Sequence, residues 1–324
     1  MSPPISKSDR VYVAGHRGLV GSAIVRQLKA QGYGDVLTAT HRDLDLTDQG
    51  AVRAFFAREK PAAVIMCAAR VGGIVANDRY PADFIADNLM IETNTIDAAW
   101  RNGVKKFVFM GTACIYPRDP ARMPITEDLL LTGPLEQTNQ WYAVAKIAGI
   151  KMAEAYRRQY GFDAVSVMPA NLYGPGDNYD LEQSHVIPAL IRKFHDAKVS
   201  GAGSVVVWGT GKPRREFLWV DDLAEATIFV MENYSAPELI NIGSGEDISI
   251  GDLARRIAGI VGFDGRLEFD IARPDGVARR ILDTTKLTKL GWRAKTGLDE
   301  GLRVAYRWFS DNVATARLGK PAAE

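Results

Sequence analysis

Three features of the 324-residue sequence predict an α/β protein built on a doubly wound parallel sheet, with a smaller lobe toward the C-terminus. Apolar strand-like runs alternate with amphipathic helical stretches through the first half. A glycine-rich turn follows directly on the first of those runs. Beyond residue 170 the alternation gives way to a loop rich in Gly, Pro and Asn, and then to shorter elements.

The first expected strand is VYVAG (11–15), which leads into the helical stretch SAIVRQLKAQG. DVLTAT follows as a second strand, AFFAREK as a helix and AAVIMCAA as a third strand. MIETNTIDAAWRNGV reads as a helix before KKFVFMG, and a helix around 142–160 precedes DAVSVMPAN. Strands this continuously apolar, spaced by helices, belong in a parallel sheet covered on both faces. NLYGPGDNYDLEQ is expected as a loop, while VDDLAEATIFVMEN (220–233) and LINIG return to the sheet. Two units result: residues 1–170 with about 220–249, and a smaller α/β lobe from 171–219 and 250–324.

Composition narrows the classes of function. The chain is 47% hydrophobic and 24% charged, as ordinary globular domains are, and it is long enough to bury a sizeable core. A net charge of +1 gives no electrostatic reason to expect a nucleic-acid or membrane partner. The opening MSPPISKSDR lacks the apolar stretch of a signal peptide. No apolar run approaches the roughly 18–20 residues that cross a bilayer, so a cytoplasmic location is expected. Two cysteines make no disulfide framework, and Cys67, inside AAVIMCAA, reads as a buried small hydrophobe. No metal site is expected.

The turn after the first strand is Gly15-His16-Arg17-Gly18-Leu19-Val20-Gly21. Glycines there allow a tight turn and close approach of a pyrophosphate to a helix N-terminus, where free N–H groups and the helix dipole favour anions. This makes the expected sheet Rossmann-like. The GxxGxxG spacing resembles that of the short-chain dehydrogenase/reductase superfamily. An NAD site usually places an acid at the end of the second strand to hold the ribose hydroxyls. That strand ends here in Ala39-Thr40-His41-Arg42, without an acid. Arg17, His41 and Arg42 suit a 2′-phosphate instead, so NADP(H) is the expected cofactor. Asp45 and Leu46 follow where a loop could reach the adenine.

Tyr142 and Lys146 stand four apart, hence on one face of a helix, after the run counted as the fifth strand. An ammonium near a phenol lowers its pKa and lets it exchange a proton near neutrality. That run ends in Thr112-Ala113-Cys114, beyond the carboxyl end of a strand, where open parallel sheets bind ligands. Thr112 could hydrogen-bond a substrate carbonyl, and Cys114 could act as a base once ionised. His185, entering a helix at SHVIP, titrates near neutrality and could return a proton. Taken alone, Thr112 also reads as a turn cap, Cys114 as a structural thiol and His185 as a capping histidine. His16 and His41 fall in cofactor loops, and His195 reads as exposed.

The motifs GHRGLVGS, VGGIVAND, CIYP, YAVAKIAGIK, MPANLYGPGDN, SHVIPALIRKFH, REFLWVDDLA and RPDGVARRILD together resemble the GDP-L-fucose synthase family, from about residue 10 to beyond 308. The resemblance implies epimerisation at C3 and C5 of GDP-4-keto-6-deoxy-D-mannose, then NADPH-dependent reduction at C4. It makes Cys114 the base and His185 the acid of epimerisation. Tyr142 becomes the proton donor to the C4 oxygen, with Lys146 tuning it and holding the nicotinamide ribose. Ala68 and Ala69 are further expected cofactor contacts, as are Pro169, Asn171, Leu172 and His185.

For the substrate, the resemblance implies Asn171, His185, Lys193, Arg215 at the diphosphate, and Arg280. Trp208 reads either as a wall of the nucleotide pocket or as core. Thr112 stands where the family usually has serine, Trp141 where it has proline, and Lys193 where it often has arginine. A homodimer is implied, pairing helices at about 90–102 and 142–158 in a four-helix bundle. A dehydratase would need an acidic pair at Ala113-Cys114, and a simple 4-epimerase has no use for a Cys/His pair. An epimerase/reductase of another GDP-4-keto-deoxy sugar remains a close alternative.

Overall fold

Residues Val11–Ala14 form a strand, β1, that is buried along its whole length and therefore sits at the centre of a sheet rather than at an edge. A computed structural model of the protein describes residues 5–318 apart from 182 and 274, and of residues 74 and 75 the backbone alone. The ends of the two expected units, 1–4 and 319–324, lie outside these residues.

After β1 come α1 (Leu19–Ala30), β2 (Val36–Leu37), α2 (Gln49–Glu59), β3 (Ala63–Met66), α3 (Ile74–Arg79) and α4 (Pro81–Arg101). Then follow β4 (Lys106–Met110), α5 (Gln140–Tyr160) and β5 (Ala164–Pro169). With β9 (Ile240–Ile242) these strands form a six-stranded sheet in the order β2-β1-β3-β4-β5-β9, every neighbouring pair parallel. The order reverses between β1 and β3, the switch point at whose carboxyl end such sheets open a crevice. The run leading to Thr112 is thus the fourth strand, not the fifth. Of DVLTAT only two residues, both half-buried, pair as a strand, because β2 is an edge with a single neighbour.

The remaining elements are β6 (Asn171–Tyr173), α6 (Val186–Ser200), β7 (Ser204–Trp208), β8 (Arg214–Trp219), α7 (Val220–Asn233) and β10 (Asp247–Ser249). They continue with α8 (Ile250–Val261), β11 (Arg266–Asp270), β12 (Arg279–Arg280), α9 (Thr285–Lys289) and α10 (Leu298–Asp311). β8 carries β10 antiparallel and β12 and β6 parallel, while β7 and β11 form a separate parallel pair.

Two apolar cores result. The first surrounds the six-stranded sheet; the second gathers Ile187, Leu190 and Phe194 of α6, Val205 and Val207 of β7, Ile257 of α8 and Phe309 of α10. Leu282, Leu287 and Trp292 join the first core, although residues 250–324 were expected together in the smaller lobe. Polar ties explain the crossing: Asn241 Nδ2 on β9 donates to Asp283 O at 3.2 Å, and Ile125 N donates to Ile281 O at 2.9 Å. Glu216 on β8, almost fully buried, accepts from Gly245 N at 2.7 Å and Leu282 N at 2.8 Å. That carboxylate joins both cores. Among the described residues no helix is long and apolar enough to cross a membrane.

Candidate active site

The turn between β1 and α1 can exist only with glycine at two points. Gly15 has φ +83°, and a Cβ there would lie 2.8 Å from the backbone of Ala68 beyond β3. A Cβ on Gly21 would lie 2.2 Å from Gly15 O. The turn therefore packs directly into the crevice at the switch point. α1 begins after Gly18 with no side-chain cap and no acid in its first turn, which leaves its first N–H groups available to an anion. Leu19 and Val20 pack partly buried against the core. This cradle fits the pyrophosphate of a dinucleotide.

Arg17, His41 and Arg42 are exposed along the neighbouring loop. An acid absent from the sequence expectation lies among them: Asp43 accepts from Thr40 Oγ1 at 2.6 Å and feels the charge of Arg17. The threonine bond holds its carboxyl below the usual range. The spacing Thr40-x-x-Asp43, a local side-chain turn, was the available signal. Asp45 accepts from Thr47 N at 2.9 Å, and Leu46 is buried in the core.

Tyr142 and Lys146 lie on α5, facing the end of β4. Lys146 Nζ sits 5.9 Å from the centre of the Tyr142 ring, donates to Met110 O at 3.1 Å, and lies 3.1 Å from Glu92 Oε1 on α4. Removing one partner of a pair this buried typically costs about 3–5 kcal/mol, because the other charge is left uncompensated. The tyrosine's pKa moves opposite to the sequence expectation. Burial, helped by Cys114 and Glu92 nearby, raises it above the ordinary phenol value. The ammonium does not reverse this, being engaged at Glu92 and Met110. Phe84 on α4 meets the Tyr142 ring edge-on at 6.5 Å. Neither Glu92 nor Phe84 belongs to the expected set; both come from a helix some fifty residues upstream.

The loop after β4 brings Thr112 and Cys114 to the same crevice. Thr112 caps a short helical turn at Ala113–Ile115, its Oγ1 accepting from Cys114 N at 3.3 Å. Cys114 is half-buried and lies within electrostatic reach of Tyr142 and of Arg215 on β8. Arg280 comes from β12 and donates to Ala113 O at 2.6 Å and Pro117 O at 3.3 Å. Its guanidinium grips both ends of the cysteine loop. Cys67 is not wholly inside a strand: it follows β3, half-buried, near Lys146, and burial pushes its thiol up to about 12.

His185 occupies the N-cap position of α6, makes no side-chain cap hydrogen bond and keeps an exposed face, although protein atoms crowd its ring. That crowding lowers its pKa, and the positive end of α6 acts in the same direction. The segment before it is held by the glycine pair of VGGIVAND, since Gly73 N donates to Gln183 O at 3.0 Å. His195, expected exposed, is half-buried against Phe309, its ring centre 5.2 Å away.

On the far side of the cleft, Trp208 at the end of β7 is 46% exposed and so is not core. Lys193 Nζ lies 5.0 Å and the Arg273 guanidinium 4.9 Å from its ring, a cationic aromatic platform. Arg273 was not foreseen, nor was Asp275, which accepts from Thr210 N at 2.8 Å and lies within reach of Arg215. Asn171, exposed on β6, donates to Glu216 O at 2.9 Å. Pro169 ends β5 and Leu172 sits in β6, while Ala68 and Ala69 follow β3 half-buried.

A parallel α/β sheet with a glycine cradle at its switch point and a Tyr–Lys pair beside it defines a dinucleotide-dependent enzyme of the Rossmann type. The chain belongs to the NAD dependent epimerase/dehydratase family, whose model matches residues 11–243, and within it to the GDP-L-fucose synthases. It is 56% identical over 312 residues to "Probable GDP-L-fucose synthase 1" of Oryza sativa subsp. japonica, covering 96% of this chain and 95% of that one. It is 53% identical to "GDP-L-fucose synthase" of Escherichia coli strain K12, covering 94% of this chain and 97% of that one. The structure of a GDP-L-fucose synthetase from Naegleria fowleri bound to NADP superimposes with a TM-score of 0.89 at 31% identity, covering 97% of this chain and 98% of that one.

Proposed function

We propose that the protein converts GDP-4-keto-6-deoxy-D-mannose to GDP-L-fucose, epimerising C3 and C5 and then reducing C4 with NADPH. The observation that carries this reading is the meeting of Cys114, Tyr142 and Arg215 at one crevice, where a proton-abstracting thiol, a phenol and a phosphate-binding guanidinium can share one substrate.

A ketone at C4 acidifies the hydrogens on C3 and C5, so one base and one acid serve both carbons through enolates. At each carbon in turn Cys114 removes the proton and His185 delivers one to the opposite face, and both exchange protons with solvent between the two rounds. Thr112 and Tyr142 hydrogen-bond the C4 oxygen. The bound dinucleotide supplies the hydride to C4. Tyr142 gives its proton to the developing alkoxide, and Lys146 steadies that transfer and holds the nicotinamide ribose. Arg215 binds the diphosphate through its fork of donors, and Lys193 with Trp208 takes the nucleoside. Asn171 contacts the sugar. Arg280 holds the loop that presents Cys114 and adds positive charge near Arg215. On this reading residues 171–219 and 250–324 contribute the substrate-binding lobe, and residues 1–170 with 220–249 hold the cofactor.

Arg17, His41 and Arg42 favour the 2′-phosphate of NADPH; Asp43 is turned toward Thr40. Purified protein is expected to oxidise NADPH with the GDP-keto sugar, and at least about tenfold less efficiently with NADH, the equivalent of one charge-assisted hydrogen bond. Proton NMR of the product should show inversion at both C3 and C5. Absence of NADPH oxidation by protein that binds the dinucleotide would reject the assignment.

We further propose a cytoplasmic homodimer joined through α4 and α5 in a four-helix bundle. The two helices pack together, and Met90 and Val144 on them are 42% and 41% exposed. Sedimentation at micromolar concentration should give the mass of a dimer, and a monomer there would refute the arrangement.

A further inference from the structure

We propose that Glu92 is a positioning residue for the reduction step: its buried carboxylate is the counter-ion that fixes the Lys146 ammonium beside Tyr142. This rests on the reading of Tyr142 and Lys146 as the reducing pair. Three observations carry it. Glu92 Oε1 lies 3.1 Å from Lys146 Nζ, and each side chain keeps only 2% of its surface. The space for the carboxylate is built into α5, where a Cβ on Gly149 would lie 2.6 Å from Glu92 Oε2 and 2.5 Å from Phe109 Cζ. Neither carboxylate oxygen has a well-aligned hydrogen bond, so among the described residues the ammonium is its only charged support. Lys146 in turn has Met110 O at 3.1 Å and the face of Phe109 at 4.8 Å, neither of which carries a formal negative charge.

A pair this dry is not retained cheaply, since apolar residues of similar volume often stabilise a fold as well or better. Its chemical consequence lies at Tyr142. When the phenol gives up its proton it becomes an anion in a buried site, and the Lys146 charge opposes that cost. The groups that bear on Glu92 and Lys146 are Tyr142 on α5 and Cys67 after β3, while Cys114 after β4 bears on Tyr142. Arg53 of α2 is engaged at Asp97, farther along α4, where Arg101 also binds. Burial pushes the Glu92 carboxyl up and the Lys146 charge opposes that rise; Glu92 is the one carboxyl paired with the ammonium among the described residues. Without it the ammonium loses its counter-ion, and the part of the Tyr142 elevation that Glu92 causes is lost as well.

The test compares wild type, Glu92→Asp and Glu92→Gln. Glu92→Gln is expected to slow NADPH-dependent reduction by about tenfold or more. Deuterium exchange at C3 and C5 should change by less than about threefold, since Cys114 and His185 perform it. The alkaline limb of reduction, and the pH at which NADPH binding weakens by fluorescence, should both move to lower pH. Glu92→Asp, which keeps the charge but draws it back by one methylene, should shift both by less. Equal loss of reduction and exchange with unmoved pH limbs would overturn the proposal and leave Glu92 a structural residue. Should the Gln variant not accumulate folded, Glu92→Asp decides on the same criteria. Inactive wild type would instead remove the functional reading, whereas active wild type with unaffected Glu92 variants removes only this inference.

Discussion

Replacing Tyr142 by phenylalanine is expected to cut 4-keto reduction by about 10²- to 10⁴-fold, the range for losing a positioned general acid. The ring should keep its edge-on contact with Phe84, so the loss isolates the hydroxyl. Deuterium from solvent should still enter at C3 and C5, because Cys114 and His185 remain. The pH dependence has a definite sign. Burial raises the Tyr142 pKa, so the phenol stays protonated through neutral pH and reduction should decline only on the alkaline side. Rates of NADPH oxidation and of deuterium incorporation, measured on one preparation, check both parts. Equal falls in the two would mean that the hydroxyl acts before reduction, or that the variant has lost the fold.

The second large effect is expected at the cysteine. Cys114→Ser keeps the size of the side chain but replaces the thiol with a far less acidic hydroxyl. Deuterium exchange at C3 and C5 should fall by at least about a hundredfold. Reduction of an already epimerised 4-keto substrate should fall far less. His185 supplies a pH test of the same step. Its pKa is lowered by burial, so the protonated form needed to return a proton is lost below the ordinary imidazole value of about 6.5. In kcat/KM for exchange, which reports the free enzyme, the alkaline limb due to His185 should therefore lie on the acid side of that value. An anionic substrate in the cleft opposes this shift, so kcat should carry the limb at higher pH. A Cys114→Ser variant that exchanges normally but cannot reduce would reverse the roles assigned to Cys114 and Tyr142.

Arg280 shows how one residue type can be read for one task and folded for another. Its charge and place in RPDGVARRILD made it an expected substrate contact, yet two of its donors hold Ala113 O and Pro117 O. It holds the loop that carries Cys114. Trp208 resolves the other way. Its sequence neighbours are alternately buried, which left core packing open, but Lys193 and Arg273 flank it in the cleft.

What the sequence by itself determined are the features that covalent neighbours settle. The alternation of apolar runs and helices determines a parallel sheet, and Gly15 and Gly21 determine the turn that opens onto the dinucleotide. Four-residue spacing places Tyr142 and Lys146 on one face of a helix. These follow from local geometry, since strand, turn and helix periods act over a few residues. Only the tertiary structure decided which distant groups meet them. Glu92 reaches Lys146 from fifty-four positions upstream, Asp43 turns to Thr40, and Leu282, Leu287 and Trp292 pack on the large sheet. The direction of the Tyr142 pKa was decided there too. A nearby lysine alone argues for a lowered value, but burial, with the acidic groups of Cys114 and Glu92 beside it, outweighs an ammonium whose charge is already answered by Glu92. Desolvation and charge pairing depend on what packs around a side chain, and that is set by contacts between elements rather than by the residues next to it in the chain.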